Sequence, residues 1–350
     1  MKTLLLVTDA WHPQVNGVVV ALEKMKELLE QRGFTVILVH PGLFYSVPLP
    51  LYPEIRLALF SGKALRRILD DKRPEYIHIA TEGPLGLTAR SLCRRRGVRF
   101  TSSYHTHFQL YAHVRFRNFL GLVYGLLCWF HKESQTTMVA TPGLKSALEA
   151  HNFRNLTLWP LGVDSQLFKP NTSSPLPPMS TPVFTFFSRL APEKSPEEFL
   201  LLSLPGTKLV IGDGPDRARL EEKYGTSATF IGYKKGQELV DWLALSDVVV
   251  FPSRTETLGL VVLEALACGV PVAAHDVMGP RDIITHGVDG YLHEDLEKAA
   301  LACLFLSGAA CRRKALQYSW ERSAEAFIRN LVPAHLSPAV QGLEVHDFVE

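Results

Sequence analysis

The sequence predicts an α/β protein made of two Rossmann-like, doubly wound parallel-sheet domains facing a central cleft. Three observations predict it. At 350 residues the chain is too long for one compact core and suits two domains. Short β-branched and aromatic runs alternate with stretches of helical period, which is the pattern of βαβ units. The alternation is broken once, at KPNTSSPLPPMSTP over 169–182, where proline, serine and threonine crowd together as in a linker.

In the first half, strands are expected at Leu4–Val7, Val36–Val39, Ile77–Ala80, Arg99–Tyr104 and Met138–Ala140. Helices are expected between them at Val18–Gln31, Leu85–Arg96, Phe119–Ser134 and Leu144–Ala150. The second half repeats the alternation, with strands at Val183–Phe187, Lys208–Ile211, Thr229–Ile231, Val248–Phe251 and Val270–Ala273. Its helices fall at Pro196–Leu202, Asp216–Lys223, Gln237–Leu245, Leu260–Ala267 and Leu296–Leu306. The expected organisation is a first domain over 1–168, the linker over 169–182, a second domain over 183–318, and a terminal segment over 319–350. Sheets of this kind bind ligands at the carboxyl ends of their strands, where the strand order reverses.

Composition narrows the class. An apolar fraction of 47% and a charged fraction of 21% exclude disorder, collagen and coiled coil. The longest nearly continuous apolar run, Phe119–Phe130, is 12 residues, short of the roughly 18–20 that a membrane span needs. Asp9 ends the apolar start of the chain before it reaches signal-peptide length. Five scattered cysteines without a C-x-x-C argue against a disulfide framework or zinc site and for a cytoplasmic protein. The net charge of +2 hides an asymmetry: residues 1–175 carry 21 Lys+Arg against 12 Asp+Glu, and residues 176–350 carry 16 against 23. The basic first half, with clusters at Lys63–Arg73 and Arg90–Arg99, either presents solvated helix faces or meets an anionic surface.

The most informative stretch is FPSRTETLGLVVLEALACG over 251–269. A buried strand ends, a Ser/Thr-rich turn follows, and a helix opens near Gly259. The N–H groups of Thr257, Leu258 and Gly259 would then point at an anion. Glu256 lies in the turn and either binds a ligand or serves as a helix-terminal acid. Glu264 lies on a largely apolar helix, where a carboxylate needs a partner such as a ribose diol. After the strand at Val183–Phe187, Arg189 and Lys194 are placed to clamp a diphosphate, with an ordinary surface loop as the alternative. Gly212 opens a glycine turn after another strand. In the first half, Asn16 and Gly17 stand at a helix start, without the G-x-G-x-x-G pattern of a dinucleotide site. The SYHTH run over 103–107 ends the fourth strand with a pair of histidines. No third ligand cluster accompanies them, so His105 reads as a substrate contact and no metal is expected.

Six segments in order, TDAWHPQVNGVV (8–19), HIATEGPLG (78–86), SYHTH (103–107), SRLAPEK (188–194), VIGDGP (210–215) and FPSRTETLGLVVLEALACGVPVAA (251–274), resemble the retaining GT-B glycosyltransferases of family 4. The resemblance is to the branch of bacterial α-mannosyltransferases and glycolipid synthases. It implies that Glu256 holds donor-sugar hydroxyls, Glu264 the ribose hydroxyls, and Arg189 and Lys194 the diphosphate leaving group. His105 would touch the donor sugar near the reacting centre, Gly17 would let the diphosphate approach, and Tyr233 and Lys234 would flank the base. Asn16, Gly212, Thr257, Leu258 and Gly259 complete the donor side, and His107 and Tyr111 stand on the acceptor side. The helix over Trp320–Leu331 would cross back to the first domain. No D-x-D triplet occurs in the chain, so fixed cations rather than a metal would hold the diphosphate. No cofactor is expected beyond the GDP- or UDP-linked sugar itself, and no nucleic acid.

The resemblance does not choose the sugar. Leu258-Gly259 stands where many relatives carry Phe-Gly, and His107 where mannosyltransferase-like relatives often have Asp or Asn and sulfoquinovosyl-lipid relatives have His. The first expectation is mannose transfer from GDP-mannose to a lipid or glycan hydroxyl. The second is a UDP-linked glucose, glucuronate or sulfoquinovose used to make glycosyldiacylglycerol. A nucleotide-sugar epimerase of the same fold and a non-catalytic nucleotide-sugar sensor are the rivals of other classes. Arg115–Arg117 followed by the apolar Phe119–Phe130 is either a core helix or a segment resting on the inner face of an anionic membrane.

Overall fold

The computed structural model describes residues 2–14, 16–49, 52–105, 120–171 and 174–335. His107, Tyr111, Arg115–Arg117 and Phe119 lie outside the described residues. The chain forms two six-stranded sheets, parallel throughout, and one antiparallel hairpin. The first sheet comprises β1 (Lys2–Val7), β2 (Phe34–Val39), β5 (Tyr76–Ile79), β6 (Thr101–Tyr104), β7 (Thr136–Val139) and β8 (Leu156–Leu158), in the order β2-β1-β5-β6-β7-β8. The second comprises β9 (Val183–Phe187), β10 (Thr207–Ile211), β11 (Thr229–Gly232), β12 (Val248–Phe251), β13 (Val272–Ala274) and β14 (Gly290–Leu292), in the order β11-β10-β9-β12-β13-β14. The strand order reverses between β1 and β5 in one sheet and between β9 and β12 in the other.

Helices cover both faces of each sheet, which explains the unbroken apolar runs LLLV of β1 and VVVF of β12. One continuous core joins the two halves: it runs from Leu4, Leu6 and Met25 through Trp159, Leu161 and Phe168 to Leu209, Leu263 and Cys311. The helix Trp320–Asn330 closes this seam. Trp320, Ala324 and Phe327 are its buried stripe at helical spacing, Phe327 packs 4.9 Å from Trp159, and the Trp159 indole donates to Ser323 Oγ at 3.0 Å. The helix thus lies against the first half after the chain has built the second.

Several elements escape the sequence reading, among them the short helices Pro280–Ile283 and Gly308–Ala315. The hairpin β3 (Ser46–Leu49) and β4 (Tyr52–Ala58) is rich in proline, the mark of an edge pair rather than a central strand. The helix Gly62–Lys72 buries only Leu65 and Leu69, so its charges hide its period. β8 and β14 are three residues each.

The apolar run before Phe130 is buried on one side only. In the helix Leu120–His131, Leu127 and Phe130 are core residues, while Leu122, Leu126 and Trp129 are 70%, 59% and 40% exposed along one outer face.

Candidate active site

The carboxyl ends of β9 and β12 lie side by side at the second switch point. Beyond β9 the chain makes a 3-10 turn at Pro192–Lys194, closed by Ser195 in the left-handed region at φ 50°. Beyond β12, the hydroxyls of Ser253 and Thr255 both donate to the Glu193 carbonyl at 3.2 Å, drawing the two turns together. Lys194 consequently pairs with Glu256, whose Oε1 also lies 3.3 Å from Ser253 Oγ. Arg189 pairs with Glu54, a residue of β4 in the other half of the molecule. Each of the two expected phosphate cations therefore has a carboxylate partner in this state.

Gly212 lies against this turn. Its φ is 147°, and a Cβ there would stand 1.9 Å from the Ser188 carbonyl oxygen, so only glycine lets β10 leave beside the Arg189 segment. Gly259, at φ 82°, starts the helix Leu260–Ala267 in the left-handed region. No backbone hydrogen bond engages the N–H groups of Thr257, Leu258 or Gly259 among the described residues. Leu258 sends its side chain into the core, so it presents only its backbone.

Glu264 lies on the second turn of that helix, between the fully buried Leu263 and Ala265. Its carboxyl has no hydrogen-bond or ion-pair partner among the described residues, and burial pushes its pKa up to about 8. Solvent still reaches part of the residue, so the group is both desolvated and open to a ligand.

The first half contributes the facing wall. The Asn16 side chain caps the helix Gly17–Gln31, accepting from Val18 and Val19 N–H at 3.0 and 3.1 Å, and so is committed to the backbone. A Cβ on Gly17 would lie 3.6 Å from Leu260 of the opposing helix, which shows how closely the two helix starts approach. The Thr257 hydroxyl donates to the His105 carbonyl at 2.9 Å, a second link across the cleft. The His105 ring lies 5.4 Å from Trp159, edge to face, and burial followed by the nearby His131 lowers its pKa to about 4. It is a neutral imidazole at physiological pH.

The structure thus links Lys194 with Glu256, Thr257 with His105, and Gly17 with the helix that begins at Gly259 and carries Glu264, while Arg189 pairs with Glu54. It does not bring Tyr233 and Lys234 into contact with them: they follow β11, two strands from the switch point, where Tyr233 is exposed and Lys234 pairs with Glu238. Sequence reasoning missed Glu54, which only tertiary contact could reveal. It also missed Glu82, beyond β5, whose carboxylate meets His131 Nε2 at 3.0 Å with almost no exposure. The TEG turn after a strand was the available signal. Among the described residues, no group of three or more His, Cys, Asp or Glu is placed to hold a metal ion.

Residues 15–167 match the model of Glycosyltransferase Family 4, and residues 181–307 that of Glycosyl transferases group 1. The chain is 30% identical over 321 residues to a GDP-mannose-dependent alpha-mannosyltransferase of Mycobacterium tuberculosis, covering 82% of each protein. It belongs to glycosyltransferase family 4. It is also 30% identical over 371 residues to the sulfoquinovosyl transferase SQD2 of Arabidopsis thaliana, covering 94% of this chain and 72% of that one. Its fold is that of the GT-B enzymes: sucrose-phosphate synthase of Thermosynechococcus elongatus superposes with a TM-score of 0.77 at 18% identity, over 99% of this chain and all of that one. This family 4 chain is a nucleotide-sugar-dependent hexosyltransferase.

Glu264 gives a first test. Its pKa is raised from 4.5 to about 8 in the folded chain. Between those values the folded protein keeps a proton that the unfolded chain has released, so stability falls as pH rises through the window. Glu264→Gln removes that loss. The variant should match the parent near pH 4.5 and exceed it by pH 8, by on the order of a few kcal/mol, in urea titrations at a series of pH values. A constant difference across the range would contradict the assigned burial.

Proposed function

We propose that this chain transfers a mannosyl residue from GDP-mannose to a lipid or glycan hydroxyl, with retention at the anomeric carbon. The observation that carries the donor side is the Glu264 carboxyl, which has no partner among the described residues and lies one turn into the helix that opens at Gly259, beyond the turn that holds the Lys194–Glu256 pair. The likeness to the M. tuberculosis α-mannosyltransferase over most of both chains supports mannose. On this reading the second domain, 183–318, holds the donor and the first, 1–168, the acceptor.

The chemistry follows from exchange of partners. A ribose diol donates two hydrogen bonds to Glu264 and stabilises its charged form. The diphosphate takes Lys194 and Arg189, releasing Glu256 to accept hydroxyls of the sugar. Departure of the phosphate builds negative charge there and oxocarbenium character on the sugar. Lys194, Arg189 and the helix-start amides are already oriented toward that charge, so little reorganisation is needed. The acceptor attacks the face from which the phosphate leaves, and the phosphate takes its proton.

Thermal melts against GDP, UDP, ADP and TDP test the donor. Ligand at about 100 times Kd contributes roughly 2.7 kcal/mol, enough to raise Tm by several degrees. A GDP-selective shift is expected. A UDP-selective shift would replace mannose by the sugar of the second reading, which the likeness to the plant sulfoquinovosyl transferase favours. Lys194→Ala should lower kcat by roughly 10²–10³, and unchanged turnover in the folded variant would remove Lys194 from the mechanism.

A lipid acceptor is supported by the outer face of the helix Leu120–His131. Among the described residues no helix is long and apolar enough to cross a membrane. Leu122, Leu126 and Trp129 nevertheless form an exposed apolar stripe, and Trp129 at its end lines a surface hollow with Leu87 and the exposed Arg94 and Arg95. Arg90 stacks under Trp129 at 3.8 Å and donates to the Phe130 and Trp129 carbonyls, fixing the stripe to the domain. Apolar side chains flanked by arginines suit an anionic bilayer. In co-sedimentation, the protein should bind phosphatidylglycerol vesicles in a salt-sensitive manner and phosphatidylcholine vesicles weakly. Leu122→Asp with Leu126→Asp should reduce binding by about tenfold or more. Equal binding by parent and variant would leave a soluble glycan as the acceptor.

A further inference from the structure

Behind His105 lies a buried chain of polar groups that the donor site does not use. Ser103 Oγ is 2.8 Å from His105 Nε2, 3.1 Å from His78 Nε2 and 3.3 Å from the Ala80 carbonyl oxygen. On the far side of the His78 ring, Nδ1 is 2.9 Å from Thr101 Oγ1, which is 3.3 Å from the Ile77 carbonyl oxygen. His78, Thr101 and Ser103 have no solvent exposure, so these five contacts have no water to complete them.

Proton counting decides how the chain is arranged. Each contact requires one hydrogen. The two hydroxyls and the neutral His78 ring supply three. If His105 carries its proton on Nε2, a fourth is added and four of the five contacts are hydrogen bonds. If His105 carries it on Nδ1, at most three are. Losing a bond among buried groups costs the desolvation of the groups left unpaired, so the chain selects the Nε2–H form. The low pKa of His78, brought to about 3 by burial and the two neighbouring histidines, keeps that ring neutral as the count requires.

We propose that Ser103, backed by His78, is a positioning residue for glycosyl transfer: it holds His105 as the Nε2–H tautomer and leaves Nδ1 as a hydrogen-bond acceptor for a hydroxyl of the bound sugar. This rests on the reading that His105 touches the sugar. His105 Nδ1 makes no hydrogen bond among the described residues. Trp159 packs edge-on against the ring, and Thr257 holds the His105 carbonyl, so both ring and backbone are fixed before substrate arrives. An acceptor nitrogen locked in place selects O–H groups and adds no charge beside an oxocarbenium-like centre.

Two measurements test it on the full chain. In ¹⁵N-histidine NMR, with His105 assigned from the signals lost in His105→Asn, Nδ1 should show the shift of an unprotonated nitrogen and Nε2 that of a protonated one. Ser103→Ala should give a mixture of the two tautomers. In steady-state release of nucleoside diphosphate from GDP-mannose and from UDP-glucose, Ser103→Ala should lower kcat by roughly 10–100-fold, the scale seen when a group orienting a functional histidine is lost. GDP affinity should stay unchanged, and Ser103→Thr should restore most of the rate. A wild-type His105 protonated on Nδ1 overturns the proposal even if Ser103→Ala does not fold. So does Ser103→Ala with parental spectrum and turnover while His105→Asn is inactive. Full turnover by His105→Asn would instead overturn the underlying role of His105.

Discussion

The cleft depends on one topological constraint: β9 and β12 are parallel neighbours, yet the chain leaves them in opposite directions. After β9 it crosses to β10 on one side, and after β12 to β13 on the other. Right-handed crossovers then put the following helices on opposite faces and leave a crevice above the two strand ends. The Arg189–Lys194 turn and the Ser253–Gly259 turn are the two lips of that crevice. Ser253 and Thr255 bind them to each other through one carbonyl, that of Glu193. Lys194 and Glu256, 62 residues apart in sequence, are neighbours for this reason.

The charged side chains of the site are mostly paired with one another. Its cations are not left bare: Lys194 leans on Glu256 and Arg189 on Glu54, pairs that a diphosphate can replace with stronger charge-assisted bonds. Because Glu54 belongs to the first half of the molecule, replacing it on Arg189 would couple donor binding to a contact between the two halves. His105 stays neutral through burial. Glu264 has no such partner among the described residues, and it holds its proton instead. On the proposed reading the donor supplies what each group lacks, hydroxyls for Glu264 and phosphate oxygens for the cations.

Much of this was legible from sequence because it is local. Val183–Phe187, Val248–Phe251 and Leu260–Ala267 fall where the periodicity places them, and a strand, a polar turn and a helix in succession suffice to locate Glu256 and Glu264. The illegible parts are those set by contacts between distant segments. Glu54 sits on a proline-containing hairpin whose alternation is weak, and nothing in its neighbourhood announces an arginine 135 residues away. The relay from His78 to Ser103 joins adjacent strands whose pairing appears only in the folded sheet. The run up to Phe130 defeated pattern reading because the helix Leu120–His131 is apolar on both its inner and its outer face, one packed in the core and the other in solvent.

On the proposed reading Glu264 changes from a protonated carboxyl, without a partner among the described residues, to a charged one held by the ribose. Calorimetry of GDP binding at pH 7, repeated in buffers of different ionisation enthalpy, reads the protons exchanged. The parent should release more protons than Glu264→Gln does under the same conditions, and that variant should bind GDP roughly 10–100-fold more weakly, the loss of one or two hydrogen bonds to a charged group. Equal proton release and equal affinity in the two proteins would contradict the assignment of the ribose to Glu264.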